Sequence, residues 1–177
     1  MQTIVQDRAK KYAFDWRDEP LLRVSEGETI AIETWDASMG FFRTPVDKAI
    51  PANRPGFDRS PPMANPIAGP VYIKGAERGD VLVTCIEEVE VADYSWVAVG
   101  PKRGPLGEST RWPELSSEYT TKIFPHTPGP SGTMRDGTLQ FSDSISWPIT
   151  PFIGTFGTAP DREVRTSIDG RARGVVI

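Results

Sequence analysis

The sequence predicts an all-β protein, either a β-sandwich or a distorted barrel, with little helix. Short runs rich in Val, Ile and Thr are separated by loops that contain many of the 16 glycines and 17 prolines. Helical periodicity is nearly absent, and the best stretch, residues 113–124, predicts at most one or two turns. A length of 177 residues with 38% hydrophobic residues fits one domain, residues 1–177, with a buried core.

Alternation of apolar and polar residues predicts the individual strands. Thr29–Trp35 alternates as a half-buried strand does, and it follows a turn at Gly27. Asp80–Val91 begins with apolar residues on both faces and turns acidic on one face, which predicts a strand that is buried at its start and half exposed at its end. The dipeptide Asp136-Gly137 predicts a hairpin turn before an alternating run that ends at Ser142. The remaining predicted strands are Val71–Lys74, Ile145–Phe156 and Gly170–Ile177.

Two long segments between the predicted strands lack any periodicity. Residues 43–66 and 100–113 are rich in proline, and loops of this length are usually functional lids or interface segments. Partly disordered segments are a third interpretation of such loops, and if the chain is one subunit of a larger enzyme we expect these segments to cover the partner.

Composition excludes several classes of protein. The formal net charge of −4 argues against a nucleic-acid-binding protein and against a polybasic membrane anchor. The sequence has no long apolar run and no N-terminal signal pattern. One cysteine forms no intrachain disulfide and builds no multi-cysteine zinc site. We expect a cytoplasmic protein.

The single histidine and the single cysteine are weak candidates for chemistry. His126 lies among prolines, which favours an exposed loop residue over a general base or metal ligand. Cys85 lies in a Val-rich run, which favours a buried, unreactive thiol over a nucleophile. A Ser-His-Asp triad stays possible, because its members need not be close in sequence, and it would have to use His126.

Two other groups of residues are candidate site residues. Glu33 and Asp36 stand at the end of a predicted strand, where carboxylates can hold a water molecule or a metal ion. From the residues alone, two surface carboxylates near a turn are the better interpretation. Gly154 and Gly157 would let a substrate approach the backbone, whose N–H groups could stabilise an oxyanion. A bulged strand end explains these glycines equally well.

Three segments together resemble landmarks of the acetamidase/formamidase family. These are EGETIAIETWDAS at 26–38, NPIAGPVYIKGAERGDVLVTCIEEVE at 65–90 and ISWPITPFIGTFGTAP at 145–160. Their order and spacing also fit the family. Arg78 stands where the second landmark usually has proline.

The resemblance implies a β-rich fold and hydrolysis of a small or cyclic amide to a carboxylate and ammonia or an amine. It implies that Glu33 and Asp36 face the site as catalytic residues, with Asp36 also a metal ligand. Gly154, Phe156 and Gly157 would line the substrate pocket. The implied cofactor is a divalent metal ion, with zinc expected, that activates water.

The resemblance covers only the N-terminal half of the family pattern. The later family segments, G-G-N-x-D and G-D-x-H-A-x-x-G-D-G-E, do not occur in this sequence. We therefore predict a subunit of a heteromeric hydrolase whose second chain supplies most catalytic residues and most metal ligands. A non-catalytic β scaffold or regulatory module is the alternative, and a self-contained hydrolase that uses His126 is a third.

Overall fold

The computed structural model describes residues 1–60, 62–102, 104–162 and 165–166, and it divides the chain into two compact units. The first unit comprises Met1–Gly40, Pro55–Cys85 and Gly154–Ile177, and the second comprises Phe41–Arg54 and Ile86–Ile153. The single domain expected from the length stays a prediction.

Ten strands carry the described structure, and the helices are short. The strands are β1 (Gln2–Ile4), β2 (Ala13–Phe14), β3 (Leu22–Val24), β4 (Ile30–Ile32), β5 (Val71–Ile73), β6 (Tyr94–Val99), β7 (Thr120–Thr127), β8 (Thr138–Ser142), β9 (Ile145–Pro148) and β10 (Arg165–Thr166). One α-helix, Gly104–Gly107, and 3₁₀ helices at Gln6–Arg8, Pro51–Asn53, Pro113–Ser116 and Met134–Asp136 complete the described elements. The prediction of an all-β fold is confirmed.

The first unit is built from pairs of short strands. β1 pairs with β4 and β3 pairs with β5, both in parallel, whereas β2 pairs with β10 in antiparallel fashion. Ile4, Ala9, Val24 and Ala64 form its buried apolar positions. Because parallel neighbours need long crossovers, the segments between these strands are long and irregular.

The second unit contains an open antiparallel sheet in the order β6-β7-β8-β9. Phe42 is completely buried against one face, where its ring lies 4.2 Å from the ring of Trp96, measured between centroids. The Thr121 hydroxyl donates a hydrogen bond to the carbonyl of Asp47 and anchors the same covering segment. Residues 43–54, the first part of the segment 43–66 that was expected to cover a partner, therefore belong with Phe42 to the segment that covers the sheet of their own unit.

The opposite face of this sheet carries aromatic rings. Phe124 and Phe141 stack with their centroids 5.5 Å apart, and Phe141 lies 4.9 Å from Trp147. The register places His126 opposite Leu139, and Leu139 opposite Trp147. His126 therefore projects from the aromatic face of the sheet, because directly opposed residues share a face.

The prediction of a buried strand over Asp80–Val91 is wrong. No strand forms there, and the side chains of Val81 and Val83 are 86% and 78% exposed. Cys85 is also exposed, so the prediction of a buried thiol is wrong as well. The pattern is that of a buried strand, but a strand needs hydrogen-bonding neighbours, and the described residues supply none to this segment.

Other strand predictions agree with the structure in part. Strands form within Thr29–Trp35, Val71–Lys74 and Ile145–Phe156, each shorter than predicted. The alternating run after Asp136-Gly137 does form β8, but the dipeptide itself is not a hairpin turn, because Asp136 ends a 3₁₀ helix and Gly137 is extended with a φ of −81°. Pro113–Ser116 is a 3₁₀ turn, but β7 starts at Thr120, inside the stretch expected to be helical. The predicted strand Gly170–Ile177 lies outside the described residues. In the described part of the chain, no helix is both long and apolar enough to span a membrane.

Candidate functional site

Asp36 stands at the start of a tight turn in the first unit, in the loop beyond the end of β4 at Ile32. One carboxylate oxygen accepts the Ser38 N–H at 2.6 Å, and the other accepts the Gly40 N–H at 2.8 Å. The turn ends with positive φ angles of 53° at Met39 and 70° at Gly40, a conformation that such hydrogen bonds hold in place. Asp36 is exposed, and each carboxylate oxygen keeps a further lone pair for a ligand.

Glu33 ties two segments of the same unit together. Its side chain accepts the Gln6 N–H at 2.8 Å, and its own N–H donates to the Ile4 carbonyl at 2.9 Å. The indole of Trp35 donates to the Gln6 carbonyl at 2.9 Å. Glu33 is exposed but is held in position by these bonds.

The Asp36 turn has polar neighbours that the sequence analysis did not single out. The Tyr12 hydroxyl donates to the Met39 sulfur, and the Asn65 N–H donates to the Ala37 carbonyl at 3.1 Å. Burial raises the pKa of Tyr12, and the positive charge of Arg59 partly offsets that rise. Tyr12 precedes the turn by more than 20 positions, so no local motif in the sequence connects the two.

The predicted substrate-lining residues lie in the last part of the same unit. Gly154 is exposed, and a Cβ atom at this position would meet no atom within 4 Å. A Cβ at Gly157 would lie 3.4 Å from the Phe14 ring, an ordinary contact. Phe156 is half-buried between these glycines. Neither glycine lies in a strand, since β9 ends at Pro148, so the open space at Gly154 fits an accessible backbone better than a bulged strand end.

The described contacts do not join the two predicted groups into one site. No hydrogen bond or ion pair within the described ranges links Glu33 or Asp36 to Gly154, Phe156 or Gly157. Among these same residues, no cluster of three or more His, Cys, Asp or Glu side chains could hold a metal ion. Asp36 therefore fits a metal site only as one ligand of several.

A second constellation lies in the second unit, on the aromatic face of the sheet. His126 lies in β7, and its Nδ1 is 2.7 Å from the Ala92 carbonyl oxygen. Its Nε2 is 3.0 Å from the Ser95 hydroxyl oxygen. Its backbone N–H donates to the Asp93 carbonyl at 2.8 Å. The prediction that His126 is an exposed loop residue is therefore wrong.

Ser95 and His126 line a pocket of about 510 Å³. Its other lining residues are mostly apolar and include Leu139, Trp147 and Phe152. The pocket is open to solvent, since Phe152 and Trp147 are 83% and 50% exposed, and its volume lies in the range that small organic ligands occupy. No local sequence pattern points to Ser95, because its hydroxyl meets His126 only through the pairing of β6 with β7.

Known proteins resemble this chain in their solved structures, whereas comparisons with family models and with curated sequences find no match. No protein-family model matches the chain, and no curated protein matches its sequence significantly. Among solved structures, the acetamidase from Bacillus halodurans is similar over 93% of this chain, with 25% identity and a TM-score of 0.72. A predicted acetamidase/formamidase from Thermoanaerobacter tengcongensis is similar over 94% of this chain, with 26% identity and the same TM-score.

A third structure shows the same fold at greater sequence distance. It is the acetamidase from Yersinia enterocolitica, with 19% identity over 93% of this chain and a TM-score of 0.65. In each comparison the match spans only 48% of the other chain. The resemblance indicated by the sequence motifs is thus confirmed: this chain has the fold of about half of an acetamidase/formamidase structure.

Proposed function

We propose that the chain is one subunit of an amide hydrolase of the acetamidase/formamidase type and acts together with a second subunit. The substrate is a small or cyclic amide, and the products are a carboxylate and ammonia or an amine. The observation that carries this proposal is the structural match to two such proteins at 25% and 26% identity over nearly the whole chain.

The residues of this chain supply only part of the required chemistry. Amide hydrolysis needs an activated water, a group that stabilises the oxyanion and an acid for the leaving nitrogen. Asp36 would provide one ligand to a divalent metal ion, and a bound metal ion of this kind supplies an activated water. Glu33 would accept a proton at its free carboxylate lone pairs, and the exposed backbone at Gly154 would contact the substrate.

The exposed segment Val81–Cys85 supports the participation of a second subunit. Val81 and Val83 would lie on one face of a strand and Leu82, which is 44% exposed, on the other. Apolar side chains therefore face solvent on both of these faces. Within the described residues, no hydrogen bond reaches the backbone of this segment. Unpaired N–H and C=O groups beside exposed valines are the features of a strand that pairs with another polypeptide.

We infer that the polypeptide that pairs with this segment carries the counterpart of the part of the similar structures that this chain does not match. About half of each similar structure has no counterpart in this chain, because the match spans 48% of its length. A strand with apolar residues on both faces suits a position inside a sheet that both halves build.

Replacing Asp36 by asparagine tests the catalytic assignment. In the assembled complex, we expect Asp36→Asn to lower the rate of ammonia release from formamide and acetamide by about 100-fold or more. The reason is that asparagine keeps the size of the side chain but loses the negative charge of a ligand or base. The measurement is steady-state turnover by the purified complex.

Asp47→Asn is the matched control for this experiment. Asp47 also closes a turn, where its carboxylate accepts the N–H groups of Arg43 and Thr44 at 2.9 and 2.7 Å. If Asp36 only holds its turn, both variants will assemble and turn over alike. That outcome would favour a non-catalytic scaffold role for this chain.

A further inference from the structure

The pocket in the second unit contains a histidine whose proton positions follow from its contacts. A carbonyl oxygen only accepts hydrogen bonds, so the Nδ1 of His126 must carry the proton that it shares with Ala92. In a neutral imidazole, Nε2 then holds a lone pair. That lone pair accepts the Ser95 hydroxyl proton at 3.0 Å. His126 is thus oriented to act as a base toward Ser95.

We propose that Ser95 and His126 form a nucleophilic dyad that hydrolyses neutral carboxylic esters bound in this pocket. The lining contains no charged side chain among the described residues, which favours an uncharged ligand. Trp147, Ile149 and Phe152 provide apolar surface for an acyl or aryl group. The activity belongs to residues of the second unit and is independent of the proposed amide hydrolysis.

The reaction balances with water as the only co-substrate. The Ser95 oxygen attacks the ester carbonyl carbon, and its proton passes to Nε2 of His126. The tetrahedral intermediate collapses, the bond to the leaving oxygen breaks, and Nε2 returns the proton to that oxygen. Water then attacks the acyl-serine by the same route, which releases the acid and restores the Ser95 hydroxyl.

Esters suit this dyad better than amides do. A neutral carbonyl, rather than a carboxylate, orients the imidazole, so the imidazolium intermediate gains less stabilisation. An alkoxide or aryloxide leaves with less help from an acid than an amide nitrogen needs. Thr150 and Phe152 line the pocket, and their N–H groups donate to no other group in the described ranges, so we assign to them the stabilisation of the oxyanion.

The test is hydrolysis of p-nitrophenyl acetate and p-nitrophenyl butyrate by the full-length chain. All variants carry Cys85→Ser, because the exposed thiol of Cys85 would itself attack these activated esters. We expect Ser95→Ala and His126→Ala each to lower the rate by about 100-fold or more. Ser146→Ala is the matched control, since Ser146 is exposed in the same sheet and does not line the pocket. Its rate should be unchanged.

Two further measurements do not depend on how the variants fold. Phenylmethylsulfonyl fluoride should modify the Ser95 hydroxyl, with loss of fluoride. Peptide mass mapping of the chain that keeps Ser95 identifies the modified residue. The ¹⁵N shifts of the only imidazole in the chain should report the Nδ1-protonated tautomer. Ester hydrolysis that survives Ser95→Ala, labelling at another residue, or an Nε2-protonated ring would each overturn the proposal.

Discussion

Val83→Asp is expected to prevent assembly of the chain with its second subunit. Val83 is 78% exposed in the chain, and the proposed interface strand would bury it. An unpaired carboxylate in a buried interface costs about 3–5 kcal/mol, which weakens binding by roughly 100-fold or more. The measurement is the dissociation constant of the two chains, together with ammonia release by their mixture.

Val46→Asp is the matched control for this experiment. Val46 is 79% exposed, so it has the same side chain and the same exposure as Val83, but it lies outside the unpaired segment. Neither substitution should change the free energy of unfolding of the isolated chain by more than about 0.5 kcal/mol. If Val83→Asp and Val46→Asp bind the second subunit equally well, the segment Val81–Cys85 is not an interface strand.

Phe42→Ala is expected to lower the free energy of unfolding by about 3–5 kcal/mol. Phe42 is fully buried, with its ring against Trp96 and 5.0 Å from the Phe41 ring. The guanidinium carbon of Arg54 lies 5.4 Å from the centre of the same ring. Truncation removes these contacts and leaves a cavity between the covering segment and the sheet.

Denaturant unfolding measures this cost, and Phe152→Ala is the control. Phe152 is 83% exposed, so its truncation should change stability by no more than about 0.5 kcal/mol. A similar midpoint for the two variants would contradict the placement of Phe42 at the centre of the second unit.

The fold class and several strands could be predicted from local patterns alone. The short apolar run in Val71–Lys74 and the alternating run that ends at Ser142 depend on neighbouring residues, and strands β5 and β8 form there. The family landmarks likewise needed only the order of residues along the chain. The structural matches support what those landmarks indicated.

The failed predictions depended on partners that the local sequence does not show. Val81–Cys85 carries the pattern of a buried strand, but burial requires strands and layers that the described residues do not supply. His126 was predicted to be an exposed loop residue because proline flanks it. The structure instead places it in β7, where Pro125 pairs with Tyr94. Its contact with Ser95 depends on that pairing and on a sequence separation of 31 residues.

For the candidate catalytic residue Asp36, the sequence predicted the position in part but not the contacts. Sequence placed Asp36 at the end of the predicted strand Thr29–Trp35, whereas β4 ends at Ile32 and Asp36 lies in the loop beyond it, at the start of a turn. The hydrogen bonds from Ser38 and Gly40 give Asp36 a structural role as well. The partners that would give it a catalytic role are not among the described residues, so that assignment stays a prediction.

Ammonia release from formamide and acetamide tests the central proposal most directly. The chain alone should release none above the uncatalysed rate. The product of the neighbouring reading frame is the first candidate for the second subunit. Its addition should produce turnover that saturates at a fixed ratio of the two chains. Ester hydrolysis by the isolated chain does not bear on this result. Full amide hydrolysis by the isolated chain would contradict the two-subunit account.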